Sequence, residues 1–207
     1  MISPLRGGLT ALALMAAGAA CSAAQKADAP IVQKTARPQT TRGIENAQEI
    51  QKIPEIQKVQ GIEKIAAYAG SWSIHIEHLA TPYSKAGDEH TQLRNDCWKS
   101  GGFFACHQYV DGVSKAFIVF TFDAASGHYT THSIPADGRA AGSGRLEIQR
   151  NVWTFPWESK EGEKTIYFRV VNVFTAPDTI AYRQEFSTDK VTWTLMGHGL
   201  EKRAAQP

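Results

Sequence analysis

Arg94-Asn95-Asp96-Cys97-Trp98-Lys99-Ser100-Gly101-Gly102-Phe103-Phe104-Ala105-Cys106-His107-Gln108-Tyr109 sets two alternating runs on either side of a Gly-Gly pair. A two-residue glycine turn between alternating runs is a strong short-range hairpin signal. If Gly101 and Gly102 form that turn, Ser100 faces Phe103 in a hydrogen-bonded pair, and each step outward alternates the pair type. Cys97 then stands opposite Cys106 at a non-hydrogen-bonded position. Such pairs have Cα atoms roughly 4.5 Å apart, within reach of a disulfide. The same register sets Asp96 against His107 and Arg94 against Tyr109, all on one face.

Outward from this hairpin, the chain reads as one domain. Its 207 residues, 43% of them apolar, suffice for a single core. Lys and Arg (22) nearly balance Asp and Glu (20), so no basic stripe marks a nucleic-acid partner. Met1-Ile2-Ser3-Pro4-Leu5-Arg6, followed by an apolar run from Leu9 to Ala20, reads as an export signal over residues 1–24. Two processing routes compete: cleavage after Ser22-Ala23-Ala24, or lipidation at Cys21 of Gly18-Ala19-Ala20-Cys21, a lipoprotein-like signal with Gly18 where Leu is usual. Either leaves Cys97 and Cys106 to pair, and the expected location is the periplasm or a membrane-anchored position in a bacterial envelope.

Residues 25–43 are polar and aperiodic and read as a tether. From Ile44 to Ile65 apolar residues recur every third position (Ile44, Ala47, Ile50, Ile53, Ile56, Val59, Ile62, Ile65). That period drifts around an α-helix, and Pro54 and Gly61 interrupt it, so residues 44–69 predict a collar of short helical pieces ending with Gly61–Tyr68.

After Gly70, about ten β-rich runs follow at barrel or sandwich spacing. They are Ser71–Leu79, Thr91–Trp98, Phe103–Tyr109, Lys115–Asp123, His128–Ile134, Gly142–Gln149, Val152–Trp157, Lys164–Phe174, Thr179–Phe186 and Val191–Leu200. No helix-length segment intervenes, which predicts an all-β antiparallel meander over residues 70–203. An Asp111-Gly112 turn sets Ala116 opposite His107, so Ala116, Ile118, Phe120 and Phe122 continue the Asp96/His107 face. On this register Arg94, Asp96, His107 and Tyr109 point inward. Further on, a loop at Ala176–Asp178 pairs Phe174 with Ile180, Asn172 with Tyr182, Val170 with Gln184 and Phe168 with Phe186. A Thr188-Asp189 turn then pairs Phe186 with Val191, Gln184 with Trp193 and Tyr182 with Leu195. One face becomes apolar and aromatic, broken by Asn172 and Gln184.

Ile62-Glu63-Lys64-Ile65-Ala66-Ala67-Tyr68-Ala69-Gly70-Ser71-Trp72 resembles the start of a calycin barrel, where a short helix precedes Gly-x-Trp on the first strand. With Tyr182-Arg183-Gln184-Glu185-Phe186-Ser187-Thr188-Asp189-Lys190-Val191-Thr192-Trp193 and the basic end Lys202-Arg203, residues 62–203 resemble the bacterial family called domain of unknown function 1579. The resemblance implies a lipocalin-like barrel of about ten strands enclosing one small-ligand cavity. It also implies that Lys202 or Arg203 closes over the ring of Trp72. The Cys97/Cys106 pair and the Ile-rich collar depart from the family, which brings no activity with it.

Enzyme signatures are missing: there is no His-Glu-x-x-His, Cys-x-x-Cys or Gly-x-Ser-x-Gly. His128 and His132 share a strand face roughly 13 Å apart, too far to chelate one metal, and His75 and His78 point to opposite faces. Asp96 beside His107 suits a structural pair, a ligand anchor or a base, but no register places a nucleophile beside it. Arg94 beside Tyr109 suits a carboxylate head group. The resulting expectation is an exported barrel that binds a lipid-like or otherwise apolar small molecule, without catalysis, cofactor or metal. Arg94, Asp96, His107 and Tyr109 are its polar contacts, and Trp72, Phe120, Tyr182 and Trp193 its apolar wall. Two alternatives stand beside it. One is a haem barrel of the nitrobindin type, for which His198 holds a comparable place but shares the outer parity of Thr192, Thr194 and Met196 unless a bulge at Gly197 or Gly199 turns it. The other is an envelope protein–protein interaction module docked through the collar.

Overall fold

The computed structural model describes residues 59–139 and 141–204. A 3₁₀ helix, Gly61–Tyr68, leads into ten strands: β1 Gly70–His78, β2 Gly87–Ser100, β3 Phe103–Val110, β4 Val113–Asp123, β5 His128–Pro135, β6 Gly142–Gln149, β7 Val152–Glu161, β8 Lys164–Ala176, β9 Thr179–Ser187 and β10 Thr194–Arg203. Each strand pairs antiparallel with its sequence neighbours, and β1 pairs with β10, closing an up-and-down barrel. Closure leaves no free sheet edge, the stable end state of an antiparallel meander. No helix among the described residues is long and apolar enough to cross a membrane. The expected signal, Cys21, the tether and the collar up to Lys58 lie outside the described residues.

Among the described residues, the helix accounts for the end of the three-residue spacing, Ile62 and Ile65, which an α-helix could not hold on one face. In a 3₁₀ helix residues three apart eclipse one another, so Ile62, Ile65 and Tyr68 share a face, and Ile65 and Tyr68 are buried. This face stops one end of the barrel. The Tyr68 carbonyl accepts from Trp72 Nε1 (3.2 Å) and Asn95 Nδ2 (3.3 Å), and the Tyr129 hydroxyl donates to the Gly61 carbonyl (2.8 Å). Arg203 donates to the carbonyls of Ala69 (2.6 Å) and Ala67 (2.9 Å) while its guanidinium lies 4.2 Å from the Trp72 ring centre. The basic residue over the indole is therefore Arg203.

The Gly-Gly hairpin has the predicted register: Ser100 faces Phe103, Asp96 faces His107 and Arg94 faces Tyr109. Cys97 and Cys106 form a disulfide across a Cα separation of 4.0 Å. The pairing across Ala176–Asp178 is also as predicted, from Phe174/Ile180 to Phe168/Phe186.

Two registers differ from the sequence reading. The Asp111-Gly112 turn, with φ of 49° and 78°, begins as a two-residue hairpin turn, pairing Val110 with Val113 and Tyr109 with Ser114. Lys115 then bulges out, so that Gln108, not His107, faces Ala116. A one-residue shift exchanges the two faces of a strand. Ala116, Ile118 and Phe120 are buried inside as expected, but their neighbours on β3 are Cys106 and Gln108, with Leu93 and Asn95 on β2. Arg94, Asp96, His107 and Tyr109 lie on the outer wall; the Arg94 and Asp96 side chains are 51% and 52% exposed.

The second difference is at residues 188–193. Asp189 accepts the backbone N–H groups of Val191 and Thr192 (both 2.8 Å), and Ser187 Oγ accepts those of Asp189 and Lys190. These bonds build a longer loop in place of a tight turn. β10 starts at Thr194, opposite Phe186, and bulges at Met196, so Gln184 faces Gly197 and Tyr182 faces Gly199.

Candidate ligand site inside the barrel

The expected site residues divide between the two sides of the wall. Trp72, Phe120 and Tyr182 are buried inside. The four polar residues instead form a chain on the outside. Arg94 Nε lies 3.2 Å from Asp96 Oδ2, and its guanidinium lies 4.2 Å over the Tyr109 ring. The Tyr109 hydroxyl is 3.0 Å from His107 Nδ1, and His107 Nε2 is 2.8 Å from Ser114 Oγ, which the bulge brings there. Trp193 sits in the β9–β10 loop, 3.9 Å beneath Arg169. It lines an outer groove of about 430 Å³ with Arg145, Glu147, Tyr167, Arg169 and Lys190. His198, even with the bulge at Met196 just before it, stays outside, half exposed and 3.6 Å from Glu77.

What the interior does hold is a polar belt. Following the register around the wall, Trp153 on β7 faces Asn172 on β8, then Tyr182 on β9, Gly199 on β10, Ile76 on β1 and Glu89 on β2. One step nearer the helix-stopped end, Thr91 faces Ile74, and Ile74 faces Glu201. Trp153, Asn172, Tyr182, Thr91 and Glu201 are all buried. Away from that end, Ile166, Phe168 and Met196 form a separate apolar cluster, covered by Tyr83 from the β1–β2 loop.

Several belt atoms lack a hydrogen-bond partner among the described residues. These are Trp153 Nε1, both amide atoms of Asn172, Thr91 Oγ1 and Glu89 Oε1, with Ser133 Oγ elsewhere inside. Buried polar atoms are ordinarily paired, and each one left open costs about 1–3 kcal/mol. Trp153 and Asn172 are cross-strand neighbours, and open buried atoms on adjacent strands are a pattern that water or a ligand completes. A ten-stranded barrel has the width for it, since eight strands already enclose one small ligand.

Carboxyls set the electrostatics. Glu201 accepts from the Tyr68 hydroxyl (3.2 Å). Burial raises its pKa to about 7, against the opposing effect of that hydrogen bond. Burial also pushes the Tyr182 hydroxyl far up, and the nearby Glu201 and Glu89 carboxyls push the same way. Tyr182 is therefore a fixed donor, 3.3 Å from Gln184 Oε1. Glu89 Oε2 lies 2.9 Å from His78 Nε2, which leaves Oε1 open. No Lys, Arg or His is buried among the described residues. Arg94 lies outside the wall, so the carboxylate-binding pocket expected around it does not form on the interior face.

In class, then, the molecule is a closed antiparallel barrel, stopped at one end by a helix and polar around its waist. No family model and no curated protein matches the chain. Among solved structures it is similar to Rv2717c from M. tuberculosis, at 10% identity and TM-score 0.40 over 70% of this chain and 97% of that one. It is likewise similar to the S-type phycobiliprotein lyase CPES from Guillardia theta, at 11% identity and TM-score 0.42 over 74% and 98%. Likenesses this distant assign neither ligand nor chemistry.

Proposed function

We propose that this chain is an exported small-molecule-binding barrel of the calycin type, related to the domain of unknown function 1579 family, that holds a ligand without converting it. The observation that carries this reading is the cross-strand pair Trp153–Asn172, where buried polar atoms stand open among large buried apolar side chains. A ligand with an apolar body and one or two polar groups satisfies such a wall, which is the usual composition of a binding cavity. The Cys97–Cys106 bond supports export, since disulfides persist in oxidising compartments. A periplasmic or lipid-anchored location, with Cys21 as the anchor, follows from the N-terminal sequence.

Native mass spectrometry of the full chain purified from its own cells tests the reading. A retained small-molecule adduct that is released on unfolding is expected. A bare barrel that co-purifies only with another protein would favour the interaction module instead.

A further inference from the structure

We propose that the interior is loaded through the side of the barrel, at a seam between β6 and β7 gated by Trp157. This rests on the binding reading above and names the route by which a ligand reaches that site. Neither end offers the route. The helix stops one, and Tyr83 covers the other, its ring 5.3 Å from Phe168 and 4.8 Å from Phe186 and its hydroxyl 3.4 Å from Glu161 Oε2. The shortest ladder in the wall lies between β6 and β7, which pair only at Glu147/Thr154, Ile148/Trp153 and Gln149/Val152. Pair types alternate outward from the turn at Gln149/Val152, so the next hydrogen-bonded pair would be Arg145/Pro156. Pro156 has no N–H to give the Arg145 carbonyl, and the ladder ends there. On its other edge Pro156 faces Arg169, where alternation from the Glu161/Lys164 turn pair calls for no N–H.

The groove of about 430 Å³ lies on this seam and is lined from both faces of the wall. Arg145, Thr154 and Pro156 belong to the outer face, whereas Trp157 and Phe168 follow the interior alternation of β7 and β8. Trp157 is half-buried and stacks on Phe168, with ring centres 5.4 Å apart and planes at 10°. It packs against both apolar clusters, including the one that holds Trp153. Rotation of this indole into the groove opens the seam toward Phe155 and Trp153, the next interior positions on β7. A gate on a route shared by entry and exit shifts both rate constants together and leaves affinity alone, whereas loss of a ligand contact acts mainly on the exit rate.

Stopped-flow fluorescence of the full chain with the neutral dye N-phenyl-1-naphthylamine reads both rate constants. Pro156→Val supplies the missing N–H and extends the ladder; it should slow entry and exit by about tenfold each while Kd stays within about twofold of wild type. Trp157→Ala removes the gate and should speed both by about tenfold, with near-UV circular dichroism confirming a native fold. Tyr83→Ala, at the covered end, should leave both rates unchanged. Rates unmoved in both seam variants, acceleration by Tyr83→Ala alone, or a Trp157→Ala effect confined to the exit rate overturns side entry while leaving a binding barrel. If wild type does not bind the dye at all, the binding reading falls and this inference with it.

Discussion

Gln108 faces Ala116, and Lys115 between Ser114 and Ala116 has no opposite residue on β3. This single bulge decides which residues of the first four strands see the interior. It keeps Ala116, Ile118 and Phe120 inside while turning His107 and Tyr109 out.

Deleting Lys115 should therefore be tolerated. The ladder becomes continuous, no side chain changes face, and the main loss is the bond from the Ala136 N–H to the Lys115 carbonyl (2.8 Å), worth about 1 kcal/mol. Deleting Val119 instead reverses the faces on one side of the cut and should abolish the native fold. Near-UV circular dichroism and urea unfolding of both deletions check this.

Arg203 should be a large stability contributor for a surface residue. It holds the carbonyls of Ala67, Ala69 and Pro177 and covers Trp72. Arg203→Ala should cost about 2 kcal/mol in urea unfolding, and Arg203→Lys should recover less than half, because an ammonium cannot span several carbonyls and stack at once.

The pH dependence of stability should carry a Glu201 signature. Its folded pKa of about 7 stands above the unfolded value, so the folded state keeps a proton that the unfolded chain releases. The contribution is fully present below about pH 4.5 and is lost as pH rises through about 7, amounting to about 3 kcal/mol. Glu201→Gln keeps an acceptor for Tyr68 and should remove this loss. The difference between variant and wild type, measured by urea unfolding, should favour the variant by more at pH 8 than at pH 5.

The Cys97–Cys106 bond closes a short loop, with a sequence separation of 9. Loop-closure entropy puts its value at about 2–3 kcal/mol. The double substitution to alanine should lower stability by that amount and leave strand content by far-UV circular dichroism unchanged.

The architecture was legible wherever a short loop fixed a register. The Gly-Gly turn set every pair from Arg94/Tyr109 to Ser100/Phe103, and the Ala176–Asp178 loop did the same for β8 and β9. Legibility failed where the backbone spent an extra residue without announcing it. Lys115 is an ordinary strand-edge residue, and nothing in Val113-Ser114-Lys115-Ala116 marks a bulge. The loop at 188–193 looked like a tight turn because its length depends on the side-chain bonds of Asp189 and Ser187. The interior polar row has a trace in the sequence, where Asn172 and Gln184 break an otherwise apolar face of β8 and β9. Glu89 was missed because β2 begins at Gly87, earlier than its apolar alternation suggests. Glu201 sits in an exposed-looking run, Leu200-Glu201-Lys202, and only the closing pair with β1 shows that it points inward.

The most direct test is a fluorescence titration of the full chain with the neutral, naphthalene-based dye N-phenyl-1-naphthylamine. Wild-type protein and Trp193→Ala, which alters only the outer groove, should both bind one dye saturably with a blue shift. Asn172→Phe, which fills the belt, should weaken binding about tenfold or more. Equal binding by wild type and Asn172→Phe, with loss in Trp193→Ala, would move the site to the outside of the wall and contradict an interior ligand.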